Sequence, residues 1–263
     1  VKQRILSGLD AFRPAAPRER ALLRRAGWAA LAATALLVLV PGIDLAVSGL
    51  FYSPETGFAW RDRPVPDFLH EGIQLGARLL FVAFLAGLGA TLWLSWRAGY
   101  GREVLGLGRR DWLFLLASLL VAPGLVANTV LKDNWDRARP VQVEQFGGQL
   151  NHTPPLVISD QCSHNCSFVS GDAAIGFYLH ALAYVAARRR SRAVLAAGLA
   201  AGGLAGLLRI GMGAHFFSDV VFAGAFMVLT VGIVHALLYG PAETAGRWRS
   251  WTGGAGCGAP GAG

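Results

Sequence analysis

Residues 193–238 read AVLAAGLAAGGLAGLLRIGMGAHFFSDVVFAGAFMVLTVGIVHALL: two apolar runs, 193–212 and 216–238, with a short polar join between them. A helix that crosses a bilayer core needs about 20 predominantly apolar residues, and each run supplies them. Outward from this pair the same pattern recurs at 27–47, 73–96, 111–131 and 168–187. The expectation is an all-α, polytopic bundle of six transmembrane helices. Composition agrees. The 263 residues are 54% hydrophobic and 15% charged, with a mean hydropathy of +0.44, whereas a soluble domain carries about 25% charged residues. No polar stretch is long enough to bury a core of its own, so one membrane domain is expected over 27–240. The first apolar run is long enough to span and does not read as a cleaved leader. In the preceding segment, 1–26, Ile5, Leu6, Leu9 and Phe12 fall at helical spacing beside Lys2 and Arg4. That pattern predicts a cytoplasmic amphipathic helix lying on anionic lipid. The segment 241–263, low in complexity from Gly253 onward, reads as a disordered cytoplasmic tail.

The formal charge of +8 does not point to nucleic acid, because of where the charge lies. Most of the basic residues fall in 1–26, 97–110, 188–192 and 247–249, which share one side of a six-helix topology. The positive-inside rule makes that side cytoplasmic, with both termini inside. The opposite, periplasmic face is poor in cations except at Arg61, Arg63 and three short polar segments. Two of those segments carry Lys132, Arg139 and Arg209, and Lys132 is one of only two lysines in the chain. Ionisable groups beside hydrocarbon are costly and mark function.

The first segment, Lys132-Asp-Asn-Trp-Asp-Arg-Ala-Arg139-Pro140, sets two cations seven residues apart. On a helix that spacing returns to one face, so both would aim at one anion, and Pro140 would end the helix. The second, Cys166-Ser-Phe-Val-Ser170-Gly171-Asp172, offers an N-cap serine and a glycine at a helix start, where free N–H groups favour an anion. The third runs from Arg209 to Asp219. Its guanidinium suits bidentate contact with phosphate oxygens. Its His215 and Asp219, four residues apart, can pair so that the carboxylate orients the imidazole. In the loop before helix four, Cys162-Ser-His164-Asn-Cys166 admits a disulfide, a metal site with His164, or free thiols. His180 and His235 lie within apolar helices and read as packing residues. Gly198, Gly202 and Gly206 form a small-residue stripe for close helix contact.

Together these segments resemble the signature of the type-2 phosphatidic acid phosphatase family, which also contains the vanadium haloperoxidases. The family pattern is K-x6-R-P, then P-S-G-H, then S-R-x5-H-x3-D. This chain has Lys132-x6-Arg139-Pro140, Val169-Ser170-Gly171-Asp172 and Leu208-Arg209-x5-His215-x3-Asp219. The resemblance implies that Lys132, Arg139, Ser170, Gly171 and Arg209 bind phosphate. It implies that His215 attacks phosphorus to form a phosphohistidine and that Asp219 orients it. It implies no metal and no cofactor. Val169 replaces a proline, Leu208 a serine, and Asp172 the histidine that protonates the leaving group. Asp172 as the acid would work against three neighbouring cations. The implied activity is hydrolysis of a phosphate or diphosphate ester of an envelope lipid in the bacterial inner membrane. Lipid A, undecaprenyl diphosphate, phosphatidylglycerol phosphate and phosphatidic acid are the candidates, with lipid A favoured by the unusual Asp172. The alternatives are phosphoryl transfer between lipids and non-catalytic lipid-phosphate binding or transport.

Overall fold

The computed structural model describes Trp28 and residues 31–252. The expected amphipathic helix at 3–12 and the chain from Gly253 onward lie outside the described residues. The described residues are 70% helix and 4% strand. In chain order the elements are α1 (Leu31–Leu39), α2 (Gly42–Gly49), a small antiparallel hairpin of β1 (Tyr52–Ser53) and β2 (Gly57–Phe58), and α3 (Pro64–Ala98). Then come α4 (Arg109–Leu119), α5 (Gly171–Tyr178), α6 (Leu182–Val185), α7 (Arg188–Gly211), α8 (Phe217–Tyr239) and α9 (Pro241–Thr252).

Among the described residues, four helical stretches are long and apolar enough to cross a membrane: α3, α4 with its continuation to Leu131, α7 and α8. The bent pair α1–α2 makes a fifth if taken as one span. The expected fourth run, 168–187, is broken into α5, a 3-10 turn over Leu179–Ala181, and α6, and is not among the helices long enough to cross a membrane. At that turn the backbone of His180 packs directly on Gly198 of α7. A Cβ at Gly202 would likewise overlap Phe177, and one at Gly206 would overlap Val220. The glycine stripe therefore does what its spacing predicted, bringing α5 and α8 onto α7.

Other departures have local causes. The expected straight helix over 27–47 bends by 80° between α1 and α2, at Pro41, which has no N–H to continue the ladder and disfavours the helical region in the residue before it. The bend leaves Asp44, in the first turn of α2, buried at 1% exposure. Helix α3 starts at Pro64, well before the apolar run at 73, and ends at Gly99 with φ 73°. Proline suits the first helical position and glycine the left-handed terminus. Its first three turns carry His70 and Gln74. Past α4 the backbone widens into a π-helix, Leu120–Leu131, containing Pro123. The Asn128 side-chain amide donates to the Pro123 carbonyl at 2.7 Å. Residues from 241, expected to be structureless, form α9 instead as far as Thr252. His235 on α8 meets Thr244 on α9 at 2.6 Å and stacks on Tyr239.

One hydrophobic core runs through the bundle around Phe114, Phe168, Tyr178 and Met227. A smaller one, around Phe58, Val143, Phe146 and Phe216, sits under the loop between the π-helix and α5.

Candidate active site

The N-terminal ends of α3, α5 and α8 and the C-terminal ends of the π-helix and α7 meet at one end of the bundle. A cavity of about 310 Å³ opens there, and its walls include Lys132, Arg139, Gly171, Asp172, Arg209 and His215. Six of the residues singled out in the sequence thus share one space. His70, Gln74 and Asn128 also line it, and none of the three carries a motif.

Lys132 follows the last π-helical residue and Arg139 precedes a 3-10 turn with extended backbone. The expected helix across 132–139 is absent, since Asp136 takes φ 49° and breaks any continuous face. Both cations reach the cavity by a turn rather than by helical phase. The Asn165 carbonyl accepts from Arg139 Nε at 3.1 Å and Nη2 at 2.7 Å. Asn165 lies in a loop closed by a Cys162–Cys166 disulfide with a Cα separation of 5.7 Å, so the covalent loop fixes the guanidinium. Burial first, then repulsion from Arg139, lowers the Lys132 ammonium to about 8. It therefore carries its charge at neutral pH and loses it as the pH rises through about 8. Arg139 is lowered too, by burial and then by Arg209.

Ser170 caps α5, its hydroxyl accepting from the Ala173 N–H at 3.4 Å. Fully buried, it is not among the residues that line the cavity. Gly171 does reach it. A Cβ there would stand 3.1 Å from Asn128 Oδ1 and 3.7 Å from Lys132 Nζ, so glycine keeps the helix start open to an anion.

His215 is buried in the tight turn between α7 and α8. The turn closes through Ala214 N to Arg209 O at 3.0 Å and uses Gly213 at φ 66°. Its Nδ1 bonds the Ser167 carbonyl at 2.6 Å, while Asp219 Oδ2 lies 3.8 Å away. Because a carbonyl only accepts, Nδ1 bears the proton and Nε2 holds a free lone pair. Asp219 thus stands next to the imidazole without a direct hydrogen bond. It accepts from Ser167 Oγ at 2.5 Å and from the Phe216 N–H at 2.8 Å, tying together the segments on either side of the ring. Burial is the largest influence on His215 and, against the opposing pull of Asp219, lowers it to about 4. Its imidazole is therefore neutral at neutral pH. The ¹⁵N resonance of His215 should therefore titrate with a midpoint near 4, and a midpoint near 6.5 would show an ordinary solvated ring.

Behind the cavity lies a fully buried ionic cluster that the sequence did not announce. Arg137, 0% exposed, donates to Asp44 Oδ2 at 2.7 Å and to Asp219 Oδ1 at 2.5 Å. Ser218 donates to Asp44 through its N–H at 2.8 Å and its hydroxyl at 2.5 Å. Phe216 lies 4.5 Å beneath the guanidinium. The only hint in the sequence was an acidic residue, Asp44, inside an apolar run, with no partner nearby in sequence.

Asp172 accepts on both oxygens: Gln74 Nε2 meets Oδ1 at 2.5 Å and His70 Nδ1 meets Oδ2 at 2.6 Å. Arg209 Nε stands 3.2 Å from Oδ2. A carboxylate so engaged fixes its donors in place.

Three cations around a buried imidazole, at the end of a bundle of membrane-length helices, make a candidate site for a phosphate ester. Residues 111–241 match the family described as the PAP2 superfamily. The chain belongs to this family of type-2 phosphatidic acid phosphatases, membrane-embedded phosphoric ester hydrolases. It is 38% identical over 216 residues to a protein of Francisella tularensis subsp. novicida (strain U112) named lipid A 4'-phosphatase, covering 77% of this chain and 89% of that one. A Rhizobium etli protein of the same name is 30% identical over 210 residues, 73% of this chain and 78% of that one. One from Rhizobium leguminosarum, also so named, is 41% identical over 106 residues, 40% of this chain and 46% of that one. No solved structure matches the chain significantly.

Proposed function

We propose that this enzyme removes a phosphate monoester from lipid A, the 4'-phosphate, through a phosphohistidine at His215. The observation that carries the chemistry is the convergence of Lys132, Arg139 and Arg209 on the cavity that holds a neutral His215. The substrate follows from the relatives named above. In the reaction, His215 Nε2 attacks phosphorus and the bond to the lipid oxygen breaks. Charge on the three equatorial oxygens is met by the two guanidinium groups, the ammonium and the N–H groups at the start of α5. Water then cleaves the P–N bond. Asp219 positions the imidazole through Ser167 and the Phe216 N–H, and Ser170 positions Gly171 by capping α5.

The surroundings suit an amphipathic substrate. An apolar groove of about 440 Å³ runs between α3, α5 and α7 past Leu69, Ile73, Leu80 and Leu204, and Ile175 lines both this groove and the phosphate cavity. On the other side a polar hollow of about 510 Å³, with Arg61, Asp62, Asp67 and His164, shares Arg139 and Arg209 with the cavity. Acyl chain, phosphate and sugar each have a place in this arrangement.

In the topology we propose, α1–α2, α3, α4 with the π-helix, α5–α6, α7 and α8 are six crossings. Both termini and the arginine-rich connections 97–110 and 188–192 then share the cytoplasmic side, and the cavity opens to the periplasm. The test is phosphate release from lipid A, undecaprenyl diphosphate, phosphatidylglycerol phosphate and phosphatidic acid in detergent micelles. Lipid A should be turned over fastest. Release from none of the four would overturn the phosphatase reading, and preference for another lipid would overturn the substrate.

A further inference from the structure

The cavity contains a second imidazole. His70 sits in the first turns of α3, near Asp67 and beside Gln74, and reaches the cavity wall from a helix remote in sequence from every motif. Its Nδ1 is bound to Asp172 Oδ2 at 2.6 Å, and the same carboxylate is held on its other oxygen by Gln74. Arg209, 3.2 Å from Oδ2, favours Asp172 as the anionic acceptor, which places a proton on His70 Nδ1. The ring is one-third exposed, in contrast to the 4% of the Asp172 side chain. Its Nε2 has no protein partner among the described residues. The pair thus has the layout of an oriented acid–base: a buried carboxylate fixing one nitrogen and an accessible second nitrogen facing the space where the ester must sit.

We propose that His70 is the general acid that protonates the leaving lipid oxygen, with Asp172 as its positioning carboxylate. The inference rests on the phosphatase reading above. As His215 Nε2 forms its bond to phosphorus, the P–O bond breaks and its electron pair stays on the lipid oxygen. That oxygen takes the proton from His70 Nε2, leaving a neutral ring still donating through Nδ1 to Asp172. In the second half, water attacks phosphorus and gives a proton to His70 Nε2. The P–N pair returns to His215, and both imidazoles regain their starting states. Asp172 keeps both oxygens as acceptors throughout, which removes the difficulty of asking a carboxyl beside Arg209 to give up a proton of its own.

The test compares two esters across wild type, His70→Ala, His70→Gln and Asp172→Asn. A lipid phosphate must expel a basic alkoxide and needs the acid. p-Nitrophenyl phosphate expels a weakly basic phenolate and needs it little. Positioned acids contribute about 10²–10⁴-fold. Both His70 variants should therefore lose about 10²-fold or more on the lipid and less than about tenfold on p-nitrophenyl phosphate, and Asp172→Asn should show a smaller loss of the same selectivity. The p-nitrophenyl phosphate activity retained by a variant reports that it is folded. Equal loss on both esters, or no loss on the lipid in either His70 variant, overturns the proposal while the phosphatase reading stands. A wild type inactive on both esters overturns the phosphatase reading and this inference with it.

Discussion

Replacing His215 with alanine should abolish turnover while leaving phosphate binding nearly intact. Lys132, Arg139 and Arg209 are carried by three different segments, and Arg139 and Arg209 are held by the Asn165 carbonyl and by Asp172, so removal of the imidazole should leave the three cations in place. What disappears is the group proposed to attack phosphorus: a buried ring with its proton fixed on Nδ1 by the Ser167 carbonyl and a lone pair on Nε2. The expected fall in kcat is about 10⁴-fold or more, the scale of deleting a covalent nucleophile. Inorganic phosphate should inhibit wild type and compete for lipid binding in the variant with constants within a few-fold of each other. Brief exposure of wild type to labelled substrate followed by denaturation in alkali should leave phosphate on the chain, and His215→Ala should carry none. A variant keeping a tenth of the wild-type rate would exclude His215 as nucleophile. So would label that persists at another residue.

Why this residue could be read from sequence, and others could not, has a physical basis. Arg209, His215 and Asp219 sit on one continuous stretch, where a fixed spacing across a helix end and a tight turn encodes their geometry directly. Lys132 and Arg139 were also found by spacing, although the reason was different: a turn with Asp136 at positive φ, not a shared helix face, aims them. Asp44, His70 and Gln74 have no such local signature. Asp44 meets Arg137 across 93 residues, and His70 meets Asp172 across 102. Those contacts depend on how α2 and α3 stack against the loop and α5, which periodicity does not report. The break in the apolar run at 168–187 has the same origin. Its composition is apolar throughout, and at the 3-10 turn the His180 backbone packs on Gly198 of α7, a contact across the bundle that composition does not report.

Arg137→Met should be the most destabilising single substitution in the described part of the chain. The guanidinium is the shared partner of two carboxylates, Asp44 and Asp219, whose side chains are 1% and 0% exposed. Methionine fills a similar volume but leaves both anions facing each other in a water-free interior. Removing one partner from a buried ionic cluster costs about 3–5 kcal/mol. For a chain of this size each kcal/mol moves the midpoint by about 2–4 °C, so thermal unfolding in detergent should drop by roughly 6–20 °C. Adding Asp44→Asn should recover part of that loss. One of the two uncompensated charges is then gone, and the asparagine oxygen still accepts the Ser218 N–H, so the double-mutant cycle should show coupling well beyond additivity. Activity should fall as well, because Asp219 would lose the anchor from which it holds Ser167 and the Phe216 N–H beside His215. Arg137→Lys should lie between, since a single ammonium keeps the charge but cannot span Asp44, Asp219 and the Thr153 carbonyl as the planar fork does. A midpoint for Arg137→Met within about 1 °C of wild type would mean that the cluster contributes nothing to stability.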